Sequence, residues 1–152
     1  VAGRSGRSSR GGSVVFQTYQ PTHYSIVAAS NHDYDSFSEI ELASRQTHGY
    51  PPHLRAVRLV LRGEDQRDVV ESSRKLATIV EDLRRTDASW ECVVAKGPAP
   101  APLSRVRGQY RWHLLLCSAD PEHARSLARA ALERHPKGQT SIIVDVDPMN
   151  VL

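Results

Sequence analysis

From residue 54 to residue 148 the hydrophobic pattern keeps changing period, and few folds accept the order in which it does so. The stretch LRAVRLVLRG (54–63) alternates. Val57, Leu59 and Leu61 point one way and Arg58 and Arg62 the other, the period-two signature of a half-buried strand. EDQRDVVESSRKLATIVEDLRR (64–85) instead places Val69, Val70, Leu76, Ala77, Val80 and Leu83 on one stripe, the spacing of an amphipathic helix. WECVVA (90–95) reads as a second strand, KGPAPAPL (96–103) as a proline-rich connection, and GQYRWHLLLC (108–117) as a third strand. DPEHARSLARAALERHP (120–136) predicts a second helix, with Asp120 as N-cap, Pro121 at the first helical position and Glu122 in the first turn. TSIIVDVDP (140–148) is a final strand ended by Pro148.

The order β-α-β-β-α-β predicts an α+β fold of the split βαβ, ferredoxin-like kind: a four-stranded antiparallel sheet with both helices on one face. The other face of such a sheet is solvated, covered by another domain, or used for binding. Strand phase places Arg58, Arg62, Arg111, His113 and Asp145 on it.

Upstream, SVVFQT (13–18) is β-branched and aromatic and reads as a strand. Pro21 and Thr22 mark a helix start. In DYDSFSEIELASRQTHG (33–49) Phe37, Ile40, Glu41, Ala43 and Ser44 fall at helical spacing, with Gly49 as the stop. Pro51 and Pro52 then forbid helix continuation. The chain is expected to divide there, into residues 1–50 and 51–152.

Charge adds a partner class. The net charge of +3 is unevenly spread. The first twelve residues hold Arg4, Arg7 and Arg10 and no acid, and a second acid-free stretch from Cys92 to Ala119 holds Lys96, Arg105, Arg107 and Arg111. Basic residues gathered in two segments fit a polyanion. Hydrophobic content of 39% excludes a disordered chain. No apolar run approaches membrane-span length and no signal-peptide core is present, so a cytoplasmic location without membrane contact is expected. Cys92 and Cys117 form no Cys-x-x-Cys pair and are expected to be buried thiols acting as small hydrophobes. The seven histidines include no His-x-x-x-His pair on one helix, so no metal site is read.

Tyr110 and Trp112 alternate beside Arg107, Gly108 and Arg111. RNA-recognition modules of this topology carry base-stacking aromatics on the third strand. Here the aromatics are shifted by one position, which turns them to the opposite face, so packing under the helices with Leu114 and Leu116 is the competing role. In KGPAPAPLSRVRG (96–108) the prolines stiffen an extended loop flanked by Lys96, Arg105 and Arg107, able to meet a phosphate backbone at low entropic cost. Asp145 and Asp147 lack a third metal ligand and are expected to be surface acids or partners of nearby arginines. VAGRSGR (1–7) combines glycines, which allow close backbone approach, with forked donors for phosphate.

VAGRSGR followed by GGSVVFQT resembles the sixth conserved motif of superfamily 2 helicases, Gln-x-x-Gly-Arg-x-x-Arg. HDYDSFSEIELASRQTHGYPP, GPAPAPLSRVRGQYRWHLLL and VDVDP resemble the end of the bacterial replication-restart helicases, the PriA or primosomal protein N′ family, and together the match covers essentially the whole chain. The resemblance implies an ATP-driven 3′-to-5′ DNA helicase that acts at abandoned forks, assembles the primosome and binds single-strand-binding protein. It implies ATP and Mg²⁺ as cofactors of the parent, and zinc in a cysteine-rich region that has no counterpart here. Gly3, Arg4, Gly6 and Arg7 would face ATP, with Arg7 as arginine finger and Arg4 its neighbour at the phosphates. Ser5 stands where the family more often has Ala. No Gly-x-x-x-x-Gly-Lys-Ser/Thr loop is present, so the resemblance implies a C-terminal fragment without ATPase activity of its own: residues 1–50 as the end of the second, RecA-like motor lobe and residues 51–152 as a C-terminal DNA-binding domain.

Two functions follow. The first is a C-terminal domain that contacts forked and single-stranded DNA through Lys96, Arg105, Arg107, Tyr110, Arg111 and Trp112. The alternative is a protein-docking ferredoxin-like domain without intrinsic DNA affinity. An acylphosphatase-like enzyme lacks a convincing Arg/Asn phosphate cradle within the repeat.

Overall fold

A computed structural model describes residues 14–149. The chain separates into two compact units, Val1–Thr47 and His48–Leu152.

The first unit contributes α1 (Tyr24–Asn31) and most of α2 (Tyr34–His48). α1 begins after the expected Pro21–Thr22 start, because His23 is the cap: its backbone is extended and its ring accepts from the Ser25 amide at 3.3 Å. Glu41 is held from two sides, by the Tyr24 hydroxyl at 2.5 Å and by Arg45 Nε at 2.6 Å. Ala28 is the one buried residue among residues 14–47, and α2 buries none. α2 stops immediately before Gly49, as its sequence predicts. The expected strand at 13–18 is corrected: residues 14–18 carry no strand pairing, and Val15 is 88% exposed. β-propensity makes a strand only where a neighbour takes up the backbone N–H and C=O groups. None lies beside it among the described residues.

The second unit is the β-α-β-β-α-β repeat: β1 (Arg55–Gly63), α3 (Gln66–Thr86), β2 (Val94–Val106), β3 (Gln109–Ser118), α4 (Pro121–Arg134) and β4 (Ser141–Val146). The sheet is antiparallel with order β2-β3-β1-β4. Both helices begin on aspartate caps. Asp65 accepts from the amides of Arg67 and Asp68, and Asp120 accepts from that of Glu122, satisfying donors that have no partner within the helix. Val57, Leu59, Leu61, Leu114 and Leu116 of the sheet meet Val69, Leu76, Val80 and Leu83 of α3 and Ala124, Leu127, Ala128 and Ala131 of α4 in one core. Alternation along β1 and β3 dictates this face, and the small residues of α4 let it pack closely on the sheet.

The far face is only partly open. Ala56, Leu115 and Cys117 are buried there under Tyr50 and Leu54. Apolar residues at those three positions need cover, and the residues on either side of Pro51–Pro52 provide it.

The proline-rich connection expected at 96–103 is corrected as well. It lies inside β2, whose pairing with β3 shifts register between Lys96 and Ala99 and between Pro100 and Arg105. β2 tolerates Pro98, Pro100 and Pro102 because it is an edge strand with one paired side. Gly97 enables the first shift. Its φ is +103°, and a Cβ there would sit 2.9 Å from the His113 carbonyl oxygen and 3.2 Å from the Ala99 nitrogen.

Gly97→Ala is therefore expected to destabilise the second unit by about 1–3 kcal/mol, measured by urea unfolding. In native-state hydrogen exchange, amides of α2 are expected to exchange well before those of β1 and β3, because local opening exposes no core there.

Candidate nucleic-acid interface

The register places the sheet's charges in two groups. At the β1 start, Arg58 donates to Asp145 at 2.6 Å, and Arg55 grips Asp147 through Nε at 2.8 Å and Nη2 at 2.6 Å. Arg125 of α4 approaches the same carboxylate at 3.6 Å. The acids of VDVDP are thus partners of arginines, as their spacing suggests. Asp147 has φ +51° and its amide donates to the Ala56 carbonyl at 2.8 Å, so the clasp closes the end of the sheet.

At the opposite end the arginines have no acid partners among the described residues. Arg62 and Arg111 face each other across β1 and β3 on the far face. Arg62 donates to the Ser141 hydroxyl at 2.9 Å. Arg105 stands opposite Tyr110, its guanidinium carbon 5.0 Å from the ring centroid. Arg107 is exposed at the hairpin tip. Among the described residues the structure records no salt bridge for any of these four. Like charges directly opposite destabilise a sheet, so the Arg62–Arg111 pair is costly unless an anion is shared between them. Glu64, Asp65 and Asp68 lie close by, lining a cleft with Arg62 and Gln109 on the side toward α3.

The tip itself is strained. Arg107 and Gly108 form a two-residue turn with φ +50° and +83°, the signature of a type I′ hairpin. Glycine accepts that region freely, whereas a residue with a Cβ incurs about 1–2 kcal/mol.

The remaining expected contacts take other positions. Lys96 is half-buried and donates to the carbonyls of His48 and Gly49, and its ammonium lies 3.4 Å from the Tyr50 ring centroid. Tyr110 and Trp112 share the helix-covered face with Leu114 and Leu116 and pack against the core. His113 does lie on the far face as expected, its Nδ1 buried without a partner, and burial with the nearby Arg58 charge holds its pKa below the ordinary value. Gly3, Arg4, Gly6 and Arg7 lie outside the described residues. Among the described residues no cluster of His, Cys, Asp and Glu could hold a metal, and no helix is long and apolar enough to cross a membrane.

Some features escaped sequence reasoning. Cys117 is buried as expected, but Cys92 is exposed, with its sulfur 3.1 Å from His123 Nδ1. Those residues are 31 positions apart, and nothing local signals the pairing. The Arg-Gly turn did leave a trace, since two residues ending in Gly between two strands is a hairpin signal.

Residues 46–149 match the family described as the primosomal protein N C-terminal domain. The chain is similar to the replication restart protein PriA of Synechocystis, 36% identical over 116 residues covering 76% of this chain and 13% of the relative. It is 33% identical to the PriA of Treponema pallidum over 100% of this chain and 22% of the relative. It is 27% identical to that of Bacillus subtilis over 97% of this chain and 18% of the relative. The chain thus spans about a fifth or less of the length of these curated relatives.

The clasp has a testable pH dependence. Hydrogen bonding and charge from Arg55 hold the Asp147 carboxyl below its ordinary value of 3.8. A depressed carboxylate pKa contributes stability that is complete above the unfolded pKa and lost as pH falls through the folded one. Asp147→Asn should lower thermal stability at neutral pH, and its deficit relative to wild type should shrink as pH drops below the ordinary value.

Proposed function

We propose, because this chain belongs to the family of the primosomal protein N C-terminal domain, that it is the DNA-contacting C-terminal part of a replication-restart helicase. The observation that carries the reading is the end of the sheet where Arg62, Arg105, Arg107 and Arg111 stand without acid partners among the described residues. Guanidinium forks match phosphate oxygens, and releasing counterions from the nucleic acid drives such binding. Forked and single-stranded DNA are the substrates proposed, with single-strand-binding protein and other primosome proteins as partners of the longer protein. In that protein Gly3, Arg4, Gly6 and Arg7 would serve ATP-dependent 3′-to-5′ unwinding by stabilising charge on the transferred phosphoryl group. The nucleotide's other contacts, with Mg²⁺, would come from residues outside this sequence.

One observation favours the alternative, a docking domain for other proteins. β4 is the second edge of the sheet, and unlike β2 it carries no proline; Ile143, Val144 and Val146 are 39%, 45% and 45% exposed along it. An unguarded apolar edge is a place where another strand can add.

Charge reversal separates the two. With about three or four phosphate contacts, log affinity for labelled forked DNA should fall against log salt with a slope of roughly −3. Arg105→Glu together with Arg107→Glu should weaken binding and flatten that slope by about 2. Unchanged DNA binding in the double variant, with its fold intact by circular dichroism, would favour docking.

A further inference from the structure

Building on the DNA-contact reading above, we propose that Arg107 is a direct contact to double-stranded DNA. The tip of the β2–β3 hairpin keeps it in a strained backbone for that contact. The second unit accordingly engages duplex in preference to single strand.

The first argument is the backbone. In a type I′ turn, Asn, Asp or Gly ordinarily takes the position that Arg107 holds at φ +50°. Strain at a single residue persists where the surroundings or a function require it. The two-residue turn fixes the positive φ, but the surroundings supply no reason for an arginine to occupy it. Arg107 is exposed, no salt bridge or side-chain hydrogen bond is recorded for it among the described residues, and a Cβ built on neighbouring Gly108 would meet nothing within 4 Å. An asparagine would suit the turn better, so what arginine adds at this position is a forked cation directed away from the protein.

The second argument is the rigidity of the mount. β3 is paired with β2 on one side and with β1 on the other up to Tyr110, opposite Gly63. The tip therefore projects barely past the sheet edge and moves with it. Arg62 and Arg111 flank it on one face, and Arg105, over Tyr110, lies on the other. A fixed fan of cations suits a stiff, densely charged rod.

The third argument is the placement of the aromatics. Binding to single strands without sequence preference relies on exposed rings that stack bases. In the second unit Tyr110, Trp112 and Trp90 pack against the core, and Tyr50 lies under Lys96 against Leu115 and Cys117. None of them is exposed. Without a stacking platform, the contact left is to backbone and groove, where duplex offers more charge per unit length.

The test uses the purified chain, fluorescence anisotropy with a short labelled duplex and its single strand of equal length at low salt, and thermal unfolding. The wild type is expected to bind duplex more tightly than single strand. Arg107→Asn, which removes the charge but suits a positive φ, should raise the melting temperature while weakening duplex binding about fivefold or more and flattening the salt slope by about 1. Arg107→Lys, which keeps the charge without the fork, should fall between the two. Gain of stability with loss of affinity is a combination that a structural role for Arg107 does not produce. Unaltered duplex affinity in Arg107→Asn, a lowered melting temperature in that variant, or tighter binding to single strand by the wild type would each overturn the proposal while leaving DNA contact by the other arginines standing. Absence of binding to either DNA by the wild type would instead remove the DNA-contact reading on which the proposal rests.

Discussion

Burial of one apolar sheet face under α3 and α4 is the constraint from which the rest of the second unit follows. Val57, Leu59, Leu61, Leu114 and Leu116 are almost wholly withdrawn from water, and the hydrophobic gain scales with that withdrawn area. Because strand side chains alternate, committing these residues to the helices sends Arg58, Arg62, Arg111 and His113 to the other face. The charged surface is therefore a consequence of the core. It could not be moved to the helix side without inverting the register of the whole sheet.

Polarity then sorts itself along the strands. Near the β1 start the far face is apolar, so Tyr50 and Leu54 cover it, and Arg55 and Arg58 are neutralised by Asp147 and Asp145. Toward the hairpin the cover ends and the acids give way to Ser141 and Ile143. This set of arginines without recorded acid partners concentrates positive potential at one edge of the sheet. The two outer strands differ in the same way. β2 is shielded from further pairing by prolines and register shifts, whereas β4 is short and regular.

The topology was legible because each element of the repeat states its period over many residues. Even the face shared by Arg58, Arg62, Arg111, His113 and Asp145 could be placed from phase alone. Where reading failed, the deciding partner was distant. SVVFQT has strand composition, but residues 14–18 have no neighbouring strand among the described residues. GPAPAP has loop composition, but β3 draws it into the sheet as an edge. Cys92 sits in a run that reads as buried strand, yet it precedes β2 in a turn and meets His123 of α4. Lys96 counts as one more cation in composition, while its position assigns it to the carbonyls of His48 and Gly49.

What the amino-acid order alone determined is the sequence of strands and helices in the second unit, the sheet face given to the core, and the basic character of the segment from Cys92 to Ala119. Those depend on local periodicity and capping, which a chain carries before it folds. Only the tertiary structure decided which arginines are neutralised and which are not. Arg55 and Arg58 meet acids 92 and 87 residues away, and whether such pairs form depends on strand order and register. The same holds for the positive φ of Arg107, which follows from the two-residue closure of the hairpin between β2 and β3. An arginine's charge is written in the sequence, but its availability is set by what the fold brings beside it.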